Sequence, residues 1–423
     1  MTTYWFKDPM VASFAPVAQA TALRGLGKKI FMPRLFIGDR FIATAPLLAP
    51  GPWDELAARC TKRKAFIVTD EGAARFAQKV AEVLQSRQFT TMIWDRALPE
   101  VPVEILKDAV EEINKFEPDV IVGVGGGSGM DTSKAIFSLY ERPDIPDPGA
   151  ISPFMALNLR KKALLVEVPT TSGTGSDCSA GFVISDTAAH RKIPVMNCEF
   201  IPDYAVLIPS FTTGVPPRLT AGTGLDALAH AMDCAVSPMV NDFSLPLALK
   251  AIELTFRWLP AAFKDGANLE ARARMQVAAS LAGIAFTNGG LALTHGLGHS
   301  VGHLFNLHHG VAVGVFIPYT LQYYAPVSDK YLDICNTIKV KGRTKSARLA
   351  GLVAKVKDLF VELEIPADLK SMGIDSAEFD SNMEKLVLYA REDPSGFQSP
   401  RSMTDQQCEL LFRCAYEGRD VDF

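Results

Sequence analysis

The chain has 423 residues, and its 43 basic and 47 acidic side chains leave a formal charge of −4. At roughly 100–200 residues per domain it is long enough for two domains with full cores, and its interspersed charges form no basic stripe that would follow a nucleic-acid backbone. The seven cysteines, at 60, 178, 198, 234, 335, 408 and 414, form no CxxC pair and are odd in number, which argues against a disulfide framework or a cysteine zinc site.

In chain order, the opening MTTYWFKDPM places Lys7 and Asp8 where a signal peptide needs an unbroken apolar run. No later run reaches the ~20 apolar residues of a membrane span. A soluble, cytoplasmic protein with no membrane or nucleic-acid partner is expected. Five β-branched runs follow: KAFIVT (64–69), TTMIW (90–94), DVIVGV (119–124), ALLVEV (163–168) and YAVLI (204–208). The helical patterns AARFAQKVAEVLQ and VEILKDAVEEINKF separate the first three. Apolar strands alternating with helices predict a parallel sheet covered on both faces. After about residue 212 the strand signals fade, and LPLALKAIELTFRWL, ARARMQVAASLAGIAF and SARLAGLVAKVKDLFVEL read as long helices. The expected organisation is an α/β domain over 1–212 and an all-helical domain over 213–423, meeting near PSFTTGVPP.

Two loops in the first half carry nucleotide chemistry. GGGSGMD, from Gly125 to Asp131, follows a buried strand and opens a helix. Its glycines admit a phosphate close to backbone N–H groups at the positive end of that helix, although GxGxxG is not matched. PTTSGTGSD (169–177) also leaves a strand at its C-terminal end, where open α/β sheets bind ligands. Asp70, ending KAFIVT, is placed to bond a ribose and to repel a 2′-phosphate, favouring NAD; it also reads as a plain turn or cap aspartate.

The second half carries metal chemistry. THGLGHSVGHLFNLHHG, from Thr294 to Gly310, holds five of the seven histidines. One or two half-buried imidazoles need no explanation, but five in fifteen positions do, because each buried ring nitrogen needs a partner. Upstream, Asp226 and His230 in AGTGLDALAHAMD lie four apart on one helix face, as do His295, His299 and His303. HGLGH lacks the glutamate of HExxH, so a zincin-type peptidase is not supported. One carboxylate with two or three imidazoles describes a catalytic site for zinc or ferrous iron.

These stretches resemble the iron-containing (group III) alcohol dehydrogenase family: GGGSxxD at 125–131, PTTSGTGSD at 169–177, GxDALAHAxD at 224–233 and HGxxHxxGxxxxxxHG at 295–310. The C-terminal SPRSMTDQQCELLFRCAYEG is similar to the alcohol dehydrogenase half of bifunctional aldehyde/alcohol dehydrogenases. The resemblance implies that family's architecture, which is dehydroquinate synthase-like, and a metal-dependent hydride transfer between a primary alcohol or its aldehyde and NAD(H). It implies Asp226, His230, His295 and His309 as ligands of Fe2+, with Zn2+ as the other option. It implies His299 as a non-ligand beside nicotinamide and substrate, a candidate proton relay. For the coenzyme it implies Gly126, Gly127, Ser128 and Asp131 at the pyrophosphate, Thr170, Thr171 and Thr174 in the second loop, Lys192 on the nucleotide's path, and Asp70 as the mark of NAD preference. A homo-oligomer, a dimer or larger, is expected as well.

Departures from the family concern the substrate. PEVP (99–102) stands where many members have an asparagine between prolines, and Gly181 replaces a pocket asparagine of the propanediol-oxidising branch. Phe286 matches an aromatic pocket residue. Together these predict a roomier, less polar pocket for longer primary alcohols. His303 and His308 have no family role and read as supporting residues. The alternatives are a zinc-dependent, glycerol-type polyol dehydrogenase, a dehydroquinate-synthase-like lyase, and a non-catalytic metal-binding protein.

Overall fold

The computed structural model describes residues 29–45, 48–187 and 191–423. Lys7 and Asp8, which carried the argument against a signal peptide, lie outside the described residues. The described chain forms two compact units, Phe31–Gly214 and Val215–Phe423.

In the first unit, strands β1 (Arg34–Ile37), β2 (Lys64–Thr69), β3 (Thr90–Trp94), β4 (Val120–Gly125), β5 (Leu164–Pro169) and β8 (Tyr204–Leu207) make one sheet in the order β1-β8-β5-β4-β2-β3. Every neighbouring pair is parallel. All five predicted runs are strands of this sheet. Its centre is apolar on both faces because helices cover both: Phe66, Ile67, Val122 and Val166 are fully buried, with Val122 in register with Ile67 and Val166. Helices α1 (Pro52–Arg59), α2 (Ala74–Ser86), α3 (Leu106–Phe116) and α4 (Gly127–Glu141) belong to this unit. On α2, Ala77, Val80, Ala81 and Leu84 are buried, the spacing that puts one helical stripe on a sheet. α3 stops where Glu117 turns left-handed at φ 52°.

Three strands fall outside the five predicted runs. β1 is a short edge strand, and β6 (Gly181–Asp186) pairs antiparallel with β7 (Arg191–Met196) as a separate ribbon. The sequence of β7, RKIPVM, joins two cations and a proline to its apolar residues, which masks the period-2 signal.

Beyond Leu207 no described residue is in a strand. The second unit is built from α5 (Pro217–Val236), α6 (Ser244–Lys264), α7 (Leu269–Gly289), α8 (Leu293–Leu304), α9 (His309–Gly314), α10 (Ile317–Tyr324), α11 (Tyr331–Thr337), α12 (Lys345–Glu362), α13 (Ser376–Ser381), α14 (Met383–Glu392) and α15 (Asp405–Glu417). α5 is buried from Thr220 to Val236, so it is the central helix of this unit. Asn268 caps α7 by accepting from Ala271 N at 3.0 Å. Among the described residues no single helix is long and apolar enough to cross a membrane.

Candidate active site

Sheet order fixes one end of the first unit as a binding edge. The chain runs from β2 outward to β3, then returns to place β4 on the opposite side of β2. That reversal opens a crevice at the strands' C-terminal ends. Asp70 follows β2 there and the Gly125–Gly129 turn follows β4. Asp70 Oδ1 accepts from Ala73 N at 3.0 Å, the turn role allowed for it, while Oδ2 faces the glycines, 3.2 Å from where a Cβ at Gly125 would sit. Oδ1 thus fills the turn role, and Oδ2 is left facing the glycine turn.

The second loop lies directly against this turn. Thr170 N donates to Gly125 O at 2.8 Å. A Cβ on Gly126 would touch Thr171, and one on Gly127 would stand 2.7 Å from Thr174 Cγ2, so bare backbone is required for the two loops to meet. α4 starts at this point, with its N–H groups at the crevice. Ser128 Oγ accepts from Glu100 N at 3.3 Å, and Lys192 Nζ lies 2.8 Å from Glu100 Oε1, which ties the PEVP segment to both. Asp131 is used differently: its Oδ1 accepts from Ser176 Oγ at 2.7 Å and its Oδ2 from Val183 N at 2.9 Å. Ser172 Oγ, which sequence reasoning passed over, is buried in the second loop with no hydrogen-bond partner. Gly181 opens β6 and its carbonyl accepts from Lys134 Nζ at 2.9 Å.

In the second unit, Asp226, His230 and His295 converge in the interior, each at most 6% exposed. From Asp226 Oδ1 it is 3.7 Å to His230 Nδ1, 3.9 Å to His295 Nε2 and 3.2 Å to His309 Nε2. Ligand atoms of the first three all lie within 4.8 Å of one another. Among the described residues, His230 Nδ1 and His295 Nε2 are nonetheless buried without a hydrogen-bond partner, and Asp226 Oδ1 makes no hydrogen bond of good geometry although His309 Nε2 stands 3.2 Å from it. Leaving three such atoms unsatisfied costs several kcal/mol, on the order of 1–3 each, and a divalent cation between them removes that cost.

Charge states at His230 and Asp226 agree with this donor set. Burial drives the His230 imidazole down to about 3 despite Asp226, so it is neutral and has a lone pair to give. Burial pushes the Asp226 carboxyl up, but His230, His309 and His295 together outweigh burial and hold it below the usual carboxylate range. Burial also lowers His295, yet the hydrogen bond to Asp233 raises it overall. That bond, His295 Nδ1 to Asp233 Oδ2 at 2.8 Å, fixes the ring with Nε2 toward Asp226. Asp233 stands seven residues after Asp226 on the same face of α5, a spacing legible in the motif but given no role there.

Glycines set the helix approach. A Cβ on Gly310 would lie 1.9 Å from Gly222 O and 2.9 Å from Asp226 Cβ, so only glycine lets α9 deliver His309 to Asp226. His308, one residue earlier, packs its ring on Gly222 instead. His303 lies at the C-terminal end of α8 with its ring 6.2 Å from Tyr389. His299 stacks on His309 at 5.2 Å, and its Nδ1 is 2.7 Å from Oδ2 of Asp393, a half-buried residue that sequence reasoning did not single out. Phe286 stacks on His230 at 4.5 Å, an apolar wall beside the cluster. Thus Asp226, His230, His295, His309, His299 and Phe286 come together in the second unit. The nucleotide candidates and Gly181 gather in the first.

Comparison with known proteins follows the same division. Residues 47–209 match iron-containing alcohol dehydrogenases, and residues 220–416 match the C-terminal part of the Fe-containing alcohol dehydrogenase family. The NADPH-dependent butanol dehydrogenase of Clostridium saccharobutylicum is 33% identical over 365 residues, covering 85% of this chain and 94% of that one. The bifunctional aldehyde-alcohol dehydrogenase AdhE of Escherichia coli K12 is 31% identical over 387 residues, covering 85% of this chain, which spans 43% of that longer protein. A solved alcohol dehydrogenase structure from Oenococcus oeni matches with a TM-score of 0.83 at 26% identity, covering 92% of this chain and all of that one.

Proposed function

The chain belongs to the iron-containing alcohol dehydrogenase family, and from that premise we propose that it passes hydride between a longer primary alcohol, or its aldehyde, and NAD(H). The observation that carries this reading is the set of three buried donor atoms left without hydrogen bonds of good geometry among the described residues of the second unit. Asp226, His230, His295 and His309 would hold one ferrous ion; a nitrogen-rich set with one carboxylate accepts zinc equally well. A divalent cation held there supplies Lewis acidity toward the alcohol or aldehyde oxygen, and the nicotinamide coenzyme takes up or gives the hydride.

The chain's own residues do the rest. The Gly126–Ser128 turn and Thr170, Thr171 and Thr174 bind the coenzyme at the helix N-terminus, with Lys192 beside them. Asp70 Oδ2 accepts from a ribose hydroxyl and repels a 2′-phosphate. The butanol dehydrogenase relative is NADPH-dependent, so the choice of NAD here rests on this chain's own Asp70. Asp393 takes the Nδ1 proton side of His299, leaving Nε2 as the atom that exchanges the reaction's proton. Phe286 offers no hydrogen-bond partner to a second hydroxyl, while each buried methylene contributes about 0.8 kcal/mol, which favours medium-chain or ω-substituted alcohols over 1,2-propanediol. A cytoplasmic location and a dimeric or larger assembly complete the reading.

The test is a panel of alcohols and aldehydes run anaerobically with protein loaded with iron or with zinc, alongside metal analysis of protein purified without air. Higher kcat/KM for butanol-sized and longer alcohols with NAD is expected. No coenzyme-linked turnover with either metal would sink the reading, and preference for the short diol would overturn its substrate part.

A further inference from the structure

We propose that Asp131 and Lys134 are positioning residues: together they clamp the second coenzyme loop to helix α4, and Asp131 does not touch the coenzyme. The proposal rests on the coenzyme reading given above for what the loop is for, but the clamp itself is a matter of packing.

The two side chains lie three residues apart and so share one face of α4. Lys134 is fully buried, and its Nζ donates to Ser176 O at 2.6 Å, Ser179 O at 3.0 Å and Gly181 O at 2.9 Å. Three donors meet three carbonyls, so the ammonium has replaced its water with loop backbone. Asp131 takes the same residue from its side chain, through Ser176 Oγ, and reaches on to Val183 N in β6. Ser176 is thereby held at both its carbonyl and its hydroxyl. Its N–H in turn donates to Thr174 Oγ1 at 3.2 Å, and Thr174 is the side chain that lies over Gly127. The chain of contacts therefore runs from the clamp through Ser176 to Thr174 and ends at the glycine turn.

Charge points the same way. A carboxylate facing a pyrophosphate would repel it, and both Asp131 oxygens are already engaged with the loop. Burial pulls the Lys134 ammonium below its ordinary range, while Asp131 beside it on α4 pulls the other way.

Asp131→Ala and Asp131→Asn separate positioning from contact. An asparagine keeps the geometry: its oxygen accepts from Val183 N and its amide donates to Ser176 Oγ, whose hydroxyl can rotate. Hydrogen exchange at residues 174–183 in the free protein should quicken about tenfold in Asp131→Ala and stay near wild type in Asp131→Asn. Titration with NADH should then show affinity weakened about tenfold in the alanine variant and restored in the asparagine one, with KM for coenzyme moving and kcat steady. If Asp131→Ala is insoluble, Ser176→Ala removes the same side-chain bond while leaving Asp131 bonded to Val183 N. Unchanged exchange in the alanine or serine variant overturns the clamp. Asparagine as weak in coenzyme binding as alanine overturns the claim that Asp131 makes no contact. Wild type that binds no NADH sinks the coenzyme reading instead, and exchange still decides the clamp.

Discussion

Both units bury charged side chains, and the clusters at Lys134 and at Asp226 treat them in opposite ways, although Glu167 Oε2 in the first unit is also without a partner among the described residues. Around Lys134 every donor finds an acceptor and every Asp131 oxygen finds an N–H or O–H. Around Asp226 three ligand-type atoms lie within 4.8 Å of one another without hydrogen bonds of good geometry among the described residues. A satisfied buried network is architecture, since it already has what its atoms require. An unsatisfied one made of good donors indicates something the folded chain is shaped to receive. The difference allows two clusters of similar burial to be assigned opposite roles without reference to any relative.

The sharpest way to break that contrast is His295→Ala. Removing this donor is expected to empty most of the cation site and to lower kcat/KM at least about a thousandfold, roughly 4 kcal/mol of transition-state stabilisation. Metal content by mass spectrometry and turnover should fall together, and retention of both would refute the ligand assignment. Next in size is Asp233→Ala, which removes the acceptor that orients His295. Metal affinity measured against a competing chelator should drop about 10–100-fold, and Asp233→Asn should recover part of it.

Asp70→Gly probes the crevice of the first unit. Two like charges about 4 Å apart cost about 1 kcal/mol in water and more where solvent is excluded, so the ratio of kcat/KM for NADP to that for NAD should rise about tenfold or more. An unchanged ratio would leave Asp70 only its turn bond to Ala73.

The smallest effect concerns Glu167, fully buried on β5. Burial raises its carboxyl well above the ordinary 4.5, although Lys134 and the Ser133 hydrogen bond partly oppose the shift. Ser133 Oγ lies 2.7 Å from Met130 O and 2.5 Å from Glu167 Oε1. The hydroxyl's one proton is shared between these two acceptors, and its hydrogen bond to the carboxyl is the one that opposes the shift. The sign follows from linkage: the folded form keeps a proton that the unfolded form loses above about pH 4.5, so this group's contribution to stability declines as pH rises from there toward the folded value. Glu167→Gln should match wild type in melting temperature below that pH and exceed it increasingly above. Melting curves that stay parallel across pH would show Glu167 to be ionised in the fold.

Much of this was legible in the sequence. The five β-branched runs are the strands of the central sheet because a strand buried on both faces has to be apolar throughout. Helix-period spacing was enough to place Asp226 and His230 on one face. What stayed hidden depended on contacts between distant segments. Asp393 meets His299 from ninety-four residues away, and an aspartate before a proline has no signature that separates a partner of histidine from a turn. Asp131 illustrates the converse: position in a glycine-rich motif suggested a phosphate contact, and only coordinates show where its oxygens go. β7 escaped because its proline and cations broke the alternation that marks a strand.

The contact of Gly310 with Gly222 O has one more consequence, for anyone reshaping this protein by selection. A methyl group at 310 would sit 1.9 Å from that carbonyl oxygen, so a library randomised at this position and screened for turnover should return glycine alone. Residue 310 has no side chain with which to touch cation, coenzyme or alcohol. It would still be scored among the least replaceable positions in the chain, and a substitution map read without the geometry would credit it with chemistry. Its contribution is clearance: the backbone of one helix passes close enough to another for the histidine one residue earlier to arrive.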